Sequence, residues 1–123
     1  RVTDHAVWYL WPNTTLMRYP GRGNFMVWRF IPIGSQKTYE EFDFFFETAH
    51  PTKEEMEAIS YIDTVLQPED IGLVESVQRG MQTPAYNQGR YMIDQEGSGH
   101  SEHAVHHFHS LIIDAYRKAC PTL

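Results

Sequence analysis

The sequence predicts an α+β fold, an antiparallel sheet followed by helices, and two observations carry that expectation. Up to residue 48, apolar and aromatic residues recur at every second position in short runs separated by turn signals, which is the period of strands. After Pro51 the spacing changes to three and four residues, the period of helices. A block of strands followed by a block of helices is the α+β pattern.

The first run, residues 6 to 11 (Ala-Val-Trp-Tyr-Leu-Trp), is aromatic and β-branched and is closed by Pro12-Asn13, so it reads as a strand with a turn behind it. Thr14 to Tyr19 reads as the second strand and Pro20 to Asn24 as a turn. In the third strand, Phe25 to Ile31, Met26, Trp28 and Phe30 share one face, while Phe25, Val27, Arg29 and Ile31 share the other. Gly34-Ser35-Gln36 turns the chain into the longest strand, Lys37 to Thr48. It alternates Thr38, Glu40, Phe42, Phe44 and Phe46 against Tyr39, Glu41, Asp43 and Phe45. Short turns between successive strands imply an antiparallel meander.

Thr52 with Glu55 three residues later is a capping box, and Met56, Ile59, Ile62 and Leu66 follow at helical spacing, which predicts a helix over residues 52–66. Pro68 then fits the first turn of a second helix ending near Gly80, where a missing N–H costs nothing. Leu73, Val74 and Val77 form its apolar stripe, expected to pack inward. Arg90 to Asp94 reads as a short strand, and a last helix capped by Ser98 or Ser101 runs to about Lys118.

A chain of 123 residues fits one domain. The net charge of −6 supplies no basic field for nucleic acid or an anionic membrane surface. No run of about 18 apolar residues is present. Cys120 is the only cysteine, so neither a disulfide framework nor a thiolate metal site can form within one chain, and a reducing, cytoplasmic setting is expected. The start lacks both Met and the apolar core of a secretion signal and enters strand-like sequence abruptly; the expected amino terminus of the natural protein lies upstream.

Asp70 stands on the same helical face as Leu73, Val74 and Val77, so a stripe expected to pack inward begins with a carboxylate. A buried lone charge needs a cation or several donors. Two readings stand: a first-turn acid facing the helix dipole and free amides, which periodicity alone favours, and a metal or catalytic carboxylate. His100, His103 and His107 share one edge of the last helix, and an i, i+4 pair can grip a metal ion. His106 and His109 point elsewhere, however, and no carboxylate or cysteine at fixed spacing completes a site; histidines at such positions also make ordinary hydrogen bonds beside a core. The strand aromatics Trp8, Trp11, Trp28, Phe44 and Phe46 are the candidates for lining a substrate pocket, where Trp faces suit a quaternary ammonium group. Plain core packing is the alternative for each of them. Glu75 and Arg79 read as a solvated i, i+4 pair.

The segment Pro68-Glu69-Asp70-Ile71-Gly72-Leu73-Val74-Glu75-Ser76-Val77-Gln78-Arg79-Gly80 resembles the carboxyl-terminal part of Rieske-type non-haem iron oxygenase α subunits, the ring-hydroxylating group. Within these it is most similar to the enzymes acting on quaternary amines such as carnitine, betaine and stachydrine. The likeness extends through Tyr86 to Arg90 and Gly97 to Phe108, and upstream through Trp8 to Asn13 and Asn24 to Phe30. The resemblance implies a helix-grip catalytic domain of the Bet v 1-like or START-like kind, an antiparallel sheet curled around a long last helix. It implies that Asp70 is the carboxylate of a triad, two histidines and one carboxylate, that holds mononuclear Fe(II). It implies O₂ as co-substrate, electrons from a Rieske 2Fe–2S cluster, a reductase component and a homotrimer.

The cluster motifs of that family, Cys-x-His and Cys-x-x-His, and its paired iron-binding histidines are not found in these 123 residues. The expectation is therefore a fragment, residues 1–123 being the C-terminal portion of the catalytic domain, inactive alone. The parent would hydroxylate or demethylate a small substrate, a quaternary amine in the leading reading. An aromatic-acid hydroxylase or demethylase of the same family is the alternative within the class, and a non-catalytic helix-grip ligand-binding module the alternative outside it.

Overall fold

The computed structural model describes residues 5–19 and 25–121, so the turn expected at residues 20–24 lies outside the described residues. The chain divides into two compact units, residues 1–82 and 83–123.

In the first unit four strands pair in chain order, all antiparallel: β1 (Ala6–Leu10), β2 (Thr14–Arg18), β3 (Phe25–Gly34) and β4 (Lys37–Phe45). β4 stops at Phe45, three residues short of the expected end. The predicted alternation sets the register. Met17, Met26 and Phe44 stand in one cross-strand row, and Thr15, Trp28 and Phe42 in the next. Neighbours in register share a face, so this aromatic face also takes Val7, Tyr9, Phe30 and Glu40. Met26, 2% exposed, and Thr15, 6% exposed, are buried there.

The opposite face carries the sheet's arginines. Arg29 meets Glu41 at 3.0 Å and Asp43 at 2.8 Å, and the Arg18 guanidinium lies 6.0 Å from the centre of the Trp8 ring. The two faces thus differ in kind, one aromatic with a single acid and the other laced by ion pairs.

The expected capping box is formed. Glu55 N–H donates to Thr52 Oγ1 at 3.2 Å and Thr52 N–H donates to Glu55 Oε2 at 2.6 Å, which satisfies two of the amide groups a helix start leaves open. Helix α1 (Lys53–Tyr61) runs on through a π turn (Ile62–Leu66) into α2 (Gln67–Met81). The break expected at Pro68 is absent. Gln67 N–H donates back to Ile62 O, five residues earlier, and a turn widened in this way just before the proline gives its ring room that a tight α turn denies. Ile62, 9% exposed, anchors the continuous helix in the core.

The expected inward packing of the α2 stripe does not occur: Leu73 and Val74 are both 65% exposed and Val77 52% exposed. Among the described residues no side chain buries that stripe.

The second unit holds a loop and α3 (His103–Ala119). Arg90 to Asp94 is not a strand, because its backbone groups are taken by the start of α3. Met92 N–H donates to Glu102 Oε2 at 2.6 Å, and Glu102 N–H donates to Met92 O at 2.7 Å. Nor does Ser98 or Ser101 cap α3, whose N-cap is Glu102. Both serines bond Asp94 instead: Ser98 N–H donates to Asp94 Oδ1 at 3.0 Å, the Ser98 hydroxyl to Oδ2, and Asp94 N–H to Ser101 Oγ at 3.2 Å. Gly97 inside this loop has φ 63°, a left-handed conformation that glycine adopts without strain.

Candidate functional site

The aromatic face of the sheet is a stack. The Trp28 ring lies 4.9 Å from Phe42 and 4.4 Å from Phe30, and Phe42 lies 6.4 Å from Phe44, centre to centre. β-Branched and aromatic residues favour the strand, and period two sends alternate ones to this side. At one end of the face, α1 and the π turn cover a pocket of about 310 Å³ lined by Met26, Phe44, Phe46, Ile59, Ile62 and Leu66, among others. At the other end stands Glu40, opposite Phe30.

Asp70 follows Leu66 by one helical turn, so the face of the helix that lines the pocket leads to it. Its carboxylate has no hydrogen bond or ion pair among the described residues, and the residue is exposed. Because α1 passes into α2 without interruption, the helix start that periodicity favoured as its partner is missing.

Burial raises the Glu40 carboxyl above the ordinary carboxylate range. The Trp28 indole N–H opposes that shift and the negative charge of Asp70 adds to it. Trp28 Nε1 is nonetheless buried without an acceptor at hydrogen-bond geometry; it lies beside Glu40 and favours its charged form without closing a proper bond. Glu40 on β4 and Trp28 on β3 thus share the aromatic face, and the charge of Asp70 on α2 reaches Glu40.

Of the five aromatic candidates, Trp28 and Phe44 share this face, and Phe46, just past β4, lines the pocket with Phe44. Trp8 does not join them. Its register partner is Leu16, opposite Val27, which puts it on the ion-pair face beneath Arg18. Trp11 sits in the β1–β2 turn, 44% exposed. Glu40 is the site residue the sequence reading passed over. Its signal was there: it is the one charged residue in the row Thr38, Glu40, Phe42, Phe44, Phe46.

In the second unit the histidines do not converge on a metal. His106 and His109 both receive the Tyr91 ring edge-on, at 5.6 and 5.5 Å, and the Tyr91 hydroxyl hydrogen-bonds His109 Nδ1. Among the described residues no group of three or more His, Cys, Asp or Glu is placed to hold a metal ion. Among the described residues Asp70 has no such group of metal-binding side chains gathered about it.

The ring-hydroxylating α-subunit catalytic-domain model matches residues 2–118. The chain belongs to this family. Among its relatives, the carnitine monooxygenase oxygenase subunit of Escherichia coli K12 is 40% identical over 114 residues, 92% of this chain and 30% of that protein. The chloroplastic choline monooxygenase of Amaranthus tricolor is 37% identical over 103 residues, 82% of this chain and 21% of that protein. The quaternary ammonium Rieske monooxygenase CntA, solved with L-carnitine, superposes with a TM-score of 0.81 at 34% identity over 86% of this chain and 30% of its own. The family's catalytic domain accordingly shows the same antiparallel sheet and following helices. This chain spans about a third or less of the length of these relatives. No helix of the described residues is long and apolar enough to cross a membrane.

Proposed function

We propose that this chain is the iron-carboxylate and pocket-wall portion of a Rieske monooxygenase that oxidises a quaternary amine. The observation that carries the reading is the carboxylate of Asp70, which has no partner among the described residues and whose charge reaches an aromatic sheet face where the one charged group, among the described strand residues, is a second acid. A cation with methyl groups suits such a surface, because aromatic faces and carboxylates both attract it. On the aromatic face an aromatic acid would meet the negative charge of Glu40 and, among the described strand residues, no arginine or lysine, since Arg18 and Arg29 lie on the opposite face. The relatives named for carnitine and choline support the same choice.

In this reading Asp70 holds mononuclear Fe(II) together with two histidines from the part of the relatives' length that this chain does not span. When bound, the iron supplies O₂ activation, fed with electrons from a Rieske 2Fe–2S cluster that also lies outside this chain. Trp28, Phe42 and Phe44 hold the substrate's apolar surface and exclude water from it. Phe46, with Phe44, closes the pocket under α1. The complete protein is a cytoplasmic homotrimer served by a reductase, a reading supported by the inter-subunit electron transfer described for a solved quaternary ammonium Rieske monooxygenase.

The test is oxygen-dependent consumption by the complete iron- and cluster-loaded protein, supplied with electrons and offered carnitine, choline or an aromatic acid. The proposal predicts consumption of a quaternary amine. Consumption of the aromatic acid alone contradicts it.

A further inference from the structure

Glu40 is the only charged side chain that β1 to β4 place on the aromatic face among the described residues. It is half-buried and makes no ion pair among the described residues, and Arg18 and Arg29 are engaged on the other side of the sheet. It shares that face with the Trp28 indole, which lies between Phe30 and Phe42, and the charge of Asp70 reaches it. A half-buried carboxylate against an apolar wall loses part of its hydration, and the negative charge of Asp70 adds to the cost, so the charge at Glu40 calls for a cation. Iron meets the charge at Asp70 in the function proposed above. The charge at Glu40 is then left over.

We infer that Glu40 is a specificity-determining residue: its carboxylate faces the positive nitrogen of the substrate while the Trp28 and Phe42 rings take the methyl groups. The inference rests on the quaternary-amine reading and sharpens it, because it assigns recognition of the charge to one residue. A quaternary nitrogen has no N–H to donate, so attraction here is Coulombic and cation–π, and shape alone cannot supply it. Glu40 therefore separates a cation from a neutral molecule of the same outline.

The experiment uses the complete, iron-loaded protein and Glu40→Gln, which keeps the side chain's size and removes its charge. Calorimetry measures binding of choline, of L-carnitine, and of the neutral choline analogue in which carbon replaces the quaternary nitrogen. Metal analysis of the same samples measures iron. The inference predicts that wild type prefers the cation, and that Glu40→Gln loses about tenfold in affinity for it, the effect of one part-buried charge contact. Affinity for the neutral analogue and iron content stay unchanged. Equal losses for both ligands, retained preference for the cation, or loss of iron in the variant each overturn it. Wild type that binds neither amine overturns the underlying function as well, whereas an unaltered preference in the variant defeats the role of Glu40 alone.

Discussion

Burial and the nearby negative charge of Asp70 on α2 hold the Glu40 carboxyl of β4 above the ordinary carboxylate range, against the pull of the Trp28 indole. The charge of Asp70 bears on the face that carries the aromatic stack, while Arg18 and Arg29 stand on the other face.

Met26 is the most deeply buried large side chain described, 2% exposed, and it floors the pocket under the π turn. Met26→Ala is expected to cost about 2 kcal/mol, the low end for buried truncations because the adjacent pocket already lacks packing. A lowered denaturation midpoint with unchanged slope shows this; an unchanged midpoint contradicts it.

The start of α1 depends on the reciprocal bonds between Thr52 and Glu55. Thr52→Ala removes one of them and is expected to cost about 1 kcal/mol, with faster amide hydrogen exchange confined to the first turn of α1. Thr52→Ser restores both stability and protection. If exchange in that turn is the same in Thr52→Ala, the cap contributes nothing.

The Ser98 hydroxyl, then its backbone N–H, holds the Asp94 carboxyl below its ordinary value of 3.8. An acid whose folded pKa is depressed binds protons more weakly when folded, so its stabilising effect is present above pH 3.8 and is lost as pH falls through the lower folded value. Ser98→Ala removes the largest contribution, and the Asp94 midpoint in an NMR titration is expected to move up toward 3.8. An unmoved midpoint contradicts the assigned cause.

The strands were legible because their alternation is simple: Met26, Trp28 and Phe30 on one side and Arg29 on the other follow directly from period two, and the structure keeps that division. The capping box was legible for the same local reason. The π turn was not, since Ile59, Ile62 and Leu66 have ordinary helical spacing and nothing local announces a bond from Gln67 to Ile62. The α2 stripe was read correctly as apolar and wrongly as packed, because periodicity reports a face and not whether this chain covers it. Trp8 was grouped with Trp28 by residue type, and only cross-strand register separates them. Glu40 was visible in its row, yet its partners Trp28 and Asp70 are 12 and 30 positions away in sequence, a proximity that only folding creates.

The most direct measurement is iron content of the complete protein with Asp70→Ala, taken beside the visible spectrum of its Rieske cluster. Loss of the mononuclear iron with the cluster spectrum intact is the expected result. Full mononuclear iron occupancy in Asp70→Ala would contradict the account.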